Sequence, residues 1–112
     1  MKISSAVRLA ALLLGVTLGL ASQAADSEIT LVIRNNRFEP AIVKVPAGQR
    51  VKLVVDNQDA TAEEFESHAL NREKIVPAGT RTTLFVGPLT PGSYSFYGEY
   101  HESSAQGTVI AE

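Results

Sequence analysis

The chain has no cysteine and no tryptophan, and its only methionine is Met1. Without cysteine it can form no disulfide, carry no lipid on a thiol and offer no thiolate to a metal ion. A Gly-x-Ser-x-Gly nucleophile motif and a paired-histidine helix motif are also missing, which argues against a hydrolytic enzyme. The sequence therefore predicts a small domain that is held together by its hydrophobic core alone.

Long hydrophobic runs are equally scarce. The one apolar segment, LAALLLGVTLGLA, follows Lys2 and Arg8 and leads to the small residues that end at Ala24. It is shorter than the roughly 20 residues that span a bilayer, so a membrane anchor is the weaker alternative. This pattern is typical of a signal peptide over residues 1–24, cleaved near Ala24. We therefore expect a soluble periplasmic protein with one domain, residues 25–112.

Positive charge is in short supply after this segment. Residues 25–112 contain eight basic and twelve acidic side chains, which gives a formal charge of about −4. Nucleic acid is bound mainly through basic residues that neutralise phosphates, so we expect no nucleic-acid partner.

What the chain does contain is a series of short β-branched and aromatic runs. Examples are EITLVIR, RVKLVVDNQD, TRTTLFVG and SYSFYGEY, and turn sequences such as PAG, GPLTPG and SSAQG separate them. Apolar and polar residues alternate in several runs, and no stretch has a sustained helical period. The pattern predicts an all-β fold, an antiparallel Greek-key β-sandwich.

The order of these segments resembles a known family. The stretches NNRFEPAIVKVPAG, VKLVVDNQD and PAGTRTTLFVGPLTPGSYSFY, followed by a His-containing loop and GTVIA, resemble the cupredoxin-like domain over nearly all of residues 25–112. The segments EEFESHALNREKIVPAG and FYGEYHESSAQG are similar to cysteine-poor periplasmic members that are associated with high-affinity iron permease systems. The resemblance implies a metal-binding role and a partner such as an inner-membrane iron permease or its periplasmic partner.

The resemblance also shows where a copper site would lie. A type 1 site takes a cysteine and a histidine from the last loop, usually with a weak methionine ligand. Aligned by spacing, Gly98 stands at the cysteine position, His101 at the histidine position, and Ala105 or Gln106 at the methionine position. Blue-copper electron transfer is therefore excluded.

Carboxylates and imidazoles remain as candidate metal ligands. They occur in two segments and are Glu64, Glu66 and His68 in the first, and Glu99 and His101 in the second. Such ligands suit Fe(II), Cu(II), Mn(II) or Zn(II) better than Cu(I). Residues two apart on a strand share a face, but an extended segment carries Glu64 and His68 about 13 Å apart, so we expect Glu66 to bind with one neighbour.

Two functions remain open at this point. The first is a periplasmic protein, a monomer or weak dimer, that binds a divalent transition metal, Fe or Cu, for uptake and possible help in Fe(II) oxidation. The second is a metal-free interaction module with a cupredoxin shape. The same alternation of Glu64, Glu66 and His68 with Phe65 also fits an ordinary half-exposed strand, in which the charged residues face water.

Overall fold

The computed structural model describes residues 26–112, so the predicted signal peptide lies outside the described residues. Within this range the chain forms nine strands. They are β1 (Ser27–Arg34), β2 (Arg37–Glu39), β3 (Ile42–Val45), β4 (Val51–Asn57), β5 (Glu63–Ser67), β6 (Arg72–Val76), β7 (Arg81–Val86), β8 (Gly92–Gly98) and β9 (Gln106–Ala111). A 3-10 helix, Glu99–His101, joins β8 to β9. The described part of the chain has no helix that is long and apolar enough to cross a membrane.

The strands form two sheets that enclose one core. One sheet has the order β2-β1-β4-β7 and the other the order β3-β9-β8-β5-β6. The predicted all-β sandwich is confirmed. Both sheets are mixed, because β1 pairs in parallel with β4 and β3 pairs in parallel with β9. Parallel neighbours need a connection that crosses over, which a reading of local hairpins does not anticipate.

The core is built from the alternating apolar residues of the strands. Leu31 and Ile33 of β1 point inward from one sheet, and Phe65 and Phe96 point inward from the other. The rings of Phe65 and Phe96 stack with centroids 5.2 Å apart, and Phe38 meets both rings edge-on. These three rings anchor β5 and β8, the two strands that carry the candidate site.

The region of interest is the end of β8 and its neighbours. β5 lies between β6 and β8, with Glu66 opposite Glu73 on one side and opposite Tyr97 on the other. β8 ends at Gly98, which lies opposite Phe65. Glu99 therefore leaves the strand beside Glu64, and the chain turns into the 3-10 helix there.

Candidate metal site

Three of the five predicted ligands come together on the outer face of the larger sheet. Glu64 and Glu66 alternate with the core residue Phe65 on β5, so both project away from the core. Glu99 joins them from the start of the 3-10 helix. One carboxylate oxygen of each residue lies within 4.8 Å of the others. We call Glu64, Glu66 and Glu99 the outer carboxylate cluster.

Glu66 is the central member of this cluster. Its side chain belongs to the outer face, yet the residue is only 8% exposed because Glu73 and Tyr97 flank it on the adjacent strands. Its Oε2 atom is buried and has no hydrogen-bond partner among residues 26–112. Buried carboxylate oxygens are normally paired with a donor or a cation, since leaving them bare is unfavourable. The unpartnered oxygen therefore marks a place where a cation would be stabilised.

The cluster also lacks compensating positive charge. Among residues 26–112, no salt bridge joins Glu64, Glu66, Glu73 or Glu99 to a basic side chain. Burial raises the pKa of Glu64, and contact with the Glu99 carboxyl raises it further. Burial likewise raises the pKa of Glu66, with a further contribution from the Glu73 carboxyl. Burial and neighbouring negative charge both disfavour the ionised carboxylates, and a proton or a bound cation would offset that cost.

His68, the fourth predicted ligand, is placed next to the cluster but outside it. β5 ends at Ser67, so His68 begins the following turn and does not continue the row of Glu64 and Glu66. Its Nε2 atom lies 3.3 Å from the hydroxyl oxygen of Tyr97. Burial raises the pKa of Tyr97, and the carboxylates of Glu66 and Glu99 add to this effect, so Tyr97 stays a neutral phenol at neutral pH.

His101, the fifth predicted ligand, points to a different partner. Glu99 and His101 would share a face only if β8 continued through them, and the 3-10 helix that begins at Glu99 prevents this. The Nδ1 atom of His101 instead lies 2.7 Å from Oε2 of Glu63. Glu99 and His101 belong to the same 3-10 helix, but Glu99 joins the outer carboxylate cluster and His101 contacts Glu63.

Glu63 is the residue that the sequence analysis did not identify. It lies on the core side of β5, in phase with Phe65 and Ser67, and is 1% exposed. Its Oε1 atom accepts hydrogen bonds from the backbone N–H groups of Tyr100, at 2.9 Å, and of Glu64, at 3.0 Å. A carboxylate at a core position of a strand is the signal that could have revealed it, because such a group needs partners from elsewhere in the fold.

The carboxyl group of Glu63 occupies the space beside Gly98. A Cβ atom placed on Gly98 would lie 2.5 Å from Cδ and 2.6 Å from Oε2 of Glu63. It would also lie 2.8 Å from Cβ of Ala105, so the position aligned with a copper-binding cysteine has no room for a side chain. The residues present do not fit a type 1 copper centre, since the thiolate is missing and a protein carboxylate fills its place.

Comparison with known proteins supports this fold. Auracyanin A, a "blue" copper protein from Chloroflexus aurantiacus, superimposes with a TM-score of 0.69 at 13% identity, covering 79% of this chain and all of that chain. Amicyanin from Paracoccus versutus superimposes with a TM-score of 0.59 at 18% identity, covering 82% of this chain and 87% of its own. Identities this low indicate a shared fold and nothing further.

A sequence relative is found in Rickettsia prowazekii (strain Madrid E). This uncharacterized protein is 42% identical over 83 residues, which cover 74% of this chain and 66% of the relative. The model of the family described as "Cupredoxin-like domain" matches residues 7–111. The chain therefore belongs to the cupredoxin-like domain family.

Proposed function

We propose that the protein binds a divalent transition-metal ion at the outer carboxylate cluster and delivers it for uptake, with Fe(II) as the preferred cargo. The observation that supports this most directly is Oε2 of Glu66, a buried carboxylate oxygen without a partner inside a group of three carboxylates. A partly buried group of negative charges is stabilised when it binds a cation.

The ligand chemistry argues against Cu(I), because Glu64, Glu66 and Glu99 offer oxygen only and Cu(I) prefers sulfur. By the Irving–Williams order the same ligands bind Cu(II) more tightly than Fe(II), so the donor set by itself does not select iron. His68 is the imidazole that is not held by Glu63, and its Nε2 atom lies 3.3 Å from the Tyr97 hydroxyl oxygen. In this proposal iron is selected by the supply of metal in the periplasm and by the partner that receives it, and not by raw affinity.

Export and the partner belong to the same proposal. The signal peptide predicted over residues 1–24 would bring the domain to the periplasm, where an inner-membrane iron permease or its periplasmic partner would receive the ion. The carboxylate cluster lies on an outer sheet face, so a docked partner could reach it directly.

The test is a measurement of metal content and affinity. The protein is purified from the periplasm without chelator, its metals are measured by mass spectrometry, and it is then titrated anaerobically with Fe(II) and, in parallel, with Cu(II) and Zn(II). We expect Glu66→Ala and Glu99→Ala each to lower the Fe(II) affinity at least about tenfold, as the loss of a direct ligand should.

The matched control is Glu102→Ala. Glu102 is an exposed carboxylate in the same loop and is not part of the cluster, so its removal tests the effect of general negative charge. Its affinity should stay close to that of the unmodified protein. Equal effects of all three substitutions, or no binding of any of the three ions, would refute the proposal and favour a metal-free interaction module.

A further inference from the structure

Glu63 holds together the two segments that supply the outer carboxylate cluster. Its Oε1 accepts the N–H groups of Glu64 and Tyr100, and its Oε2 receives Nδ1–H of His101. The first of these groups belongs to β5, which carries Glu64 and Glu66. The other two belong to the 3-10 helix, which begins with Glu99.

The 3-10 helix has no other local cap. Gly98 stands at its N-cap position and has no side chain, so no capping hydrogen bond comes from that residue. The free N–H groups in the first turn of a helix need an acceptor, which is usually the side chain of the N-cap residue. Glu63 supplies this acceptor from a neighbouring strand, 37 residues earlier in the chain.

Gly98 makes this arrangement possible. Because any Cβ at this position would overlap the carboxyl group of Glu63, the glycine and the buried glutamate depend on one another. The φ angle of Gly98 is −95°, which other residues also adopt, so the requirement for glycine here is one of space.

The carboxylates of the cluster oppose their own assembly. Glu64 and Glu99 repel one another in the ionised state, and Glu99 is exposed at the start of a short loop. Without an anchor, the loop would relax so that Glu99 moved away from Glu64 and Glu66. The ties from Glu63 to Tyr100 and His101 act against this movement.

We propose that Glu63 is a positioning residue for the metal site: its buried carboxylate fixes the 3-10 helix to β5 and so holds Glu99 beside Glu64 and Glu66. His101 acts through Glu63 as part of this anchor and is not a ligand. This inference rests on the proposed function. The contact between the Glu63 carboxylate and the His101 imidazole lies beside Gly98, the position aligned with a copper-binding cysteine.

The test compares substitutions in the anchor with a substitution in the site. Anaerobic Fe(II) titration is carried out on the whole protein and on Glu63→Ala, Glu63→Gln, His101→Ala and Glu66→Ala. Glu63→Ala should lower the affinity about tenfold, the range found when residues that orient metal ligands are removed. Glu63→Gln should recover most of the affinity, because its carbonyl oxygen can still accept the Tyr100 N–H. A wild-type affinity in Glu63→Ala, with weakened binding in Glu66→Ala, refutes the positioning role and leaves the proposed function standing.

Spectroscopy separates an anchor from a ligand. Cu(II) is used as the probe, because a directly bound imidazole adds nitrogen hyperfine structure to its electron paramagnetic resonance spectrum. We expect an oxygen-coordinated spectrum that is the same in the unmodified protein and in His101→Ala. Nitrogen coupling that disappears in His101→Ala would make His101 a ligand and overturn the inference.

Two further outcomes are decisive. If Glu66→Ala binds Fe(II) with unchanged affinity, the proposed function fails, whatever the anchor substitutions show. If Glu63→Ala does not fold, His101→Ala decides instead, since His101 is partly exposed and its removal deletes one of the three bonds to Glu63. Unchanged Fe(II) affinity in folded His101→Ala then refutes the inference, whereas near-normal affinity in Glu63→Gln is expected in either case and serves as the control.

Discussion

Gly98→Ala should destabilise the fold through Glu63. The added methyl carbon would lie 2.5 Å from Cδ of Glu63, whereas carbon atoms pack at about 3.5 Å or more, so the carboxyl group must move by about 1 Å. A shift of that size breaks the 2.7 Å contact between Glu63 and His101. Overpacking costs about 1–3 kcal/mol, and a lost hydrogen bond to a charged group costs about 1.5–3 kcal/mol.

The expected total is therefore about 2.5–6 kcal/mol, a large part of the roughly 5–15 kcal/mol that holds a small domain folded. Thermal unfolding followed by circular dichroism should show a midpoint that is lower by more than about 10 °C, because 1 kcal/mol shifts a domain of this size by about 4–8 °C. A decrease of only a few degrees would show that Glu63 yields freely and that the pocket is not closely packed.

A double-mutant cycle tests whether this effect passes through Glu63. Glu63→Ala alone should also destabilise, because it leaves the N–H of Tyr100 and the imidazole of His101 without their acceptor. In the double variant the overlap with the Glu63 carboxyl group is gone, while the 2.8 Å approach of the new methyl carbon to Cβ of Ala105 remains. Because the Glu63 part of the overlap is relieved, the combined loss of stability should be smaller than the sum by at least about 1 kcal/mol.

The control for the cycle is Gly79→Ala. Gly79 has a φ of 66° and nothing near its Cβ position, so alanine there is penalised by backbone conformation alone. Combined with Glu63→Ala, it should add independently, within about 0.5 kcal/mol. Additive behaviour of Gly98→Ala as well would refute the steric link between Gly98 and Glu63.

Three other predictions address pH, charge and spectra. Because the pKa values of Glu64 and Glu66 are raised above the ordinary value of 4.5, protons compete with the metal ion at higher pH than usual for a carboxylate. The metal affinity should therefore fall as the pH drops towards that value. Titrations between neutral pH and pH 5 that give one constant affinity would contradict this. A raised folded-state pKa also means that stability is fully present below the unfolded value and is lost as pH rises through the folded one. Metal-free Glu66→Gln should therefore melt higher than the unmodified protein at pH 7.5 but not at pH 4. Equal midpoints at pH 7.5 in scanning calorimetry would show that the ionised Glu66 carboxylate does not destabilise the fold. Cu(II)-loaded protein should lack the intense visible band of thiolate-to-copper charge transfer, and an intense blue colour would overturn the alignment of Gly98 with the cysteine position.

Much of the fold could be predicted from local sequence pattern. Runs such as EITLVIR were predicted as strands, and in the structure Leu31 and Ile33 of that run point inward with the two-residue period of a strand. Phe65 likewise alternates with its polar neighbours. Glu64 and Glu66 were placed on one outer face by the same rule, and the structure brings them together. Parallel pairing of β1 with β4 was not anticipated, because a strand pattern does not specify its partner.

The candidate metal site, like the fold, was predictable from the sequence only in part. The period of β5 continues only to Ser67, so the row of Glu64 and Glu66 does not reach His68. β8 ends at Gly98, so the condition under which Glu99 and His101 would share a strand face is not met. Where a strand stops is decided by competing contacts that the local pattern does not contain. After Gly98 the competing contact comes from the carboxylate of Glu63, which accepts a hydrogen bond from the backbone N–H of Tyr100.

The sequence by itself determined which chemistry is possible: with no cysteine there is no thiolate site, and the metal-binding groups left are carboxylates and imidazoles. It also determined the β-sandwich, because strand periodicity and turn residues are local properties. Only the tertiary structure decided which of these groups meet. Two of the three partners of Glu63 are 37 and 38 residues away, and whether a buried carboxylate is tolerated depends on such distant donors and on the absence of a side chain at Gly98.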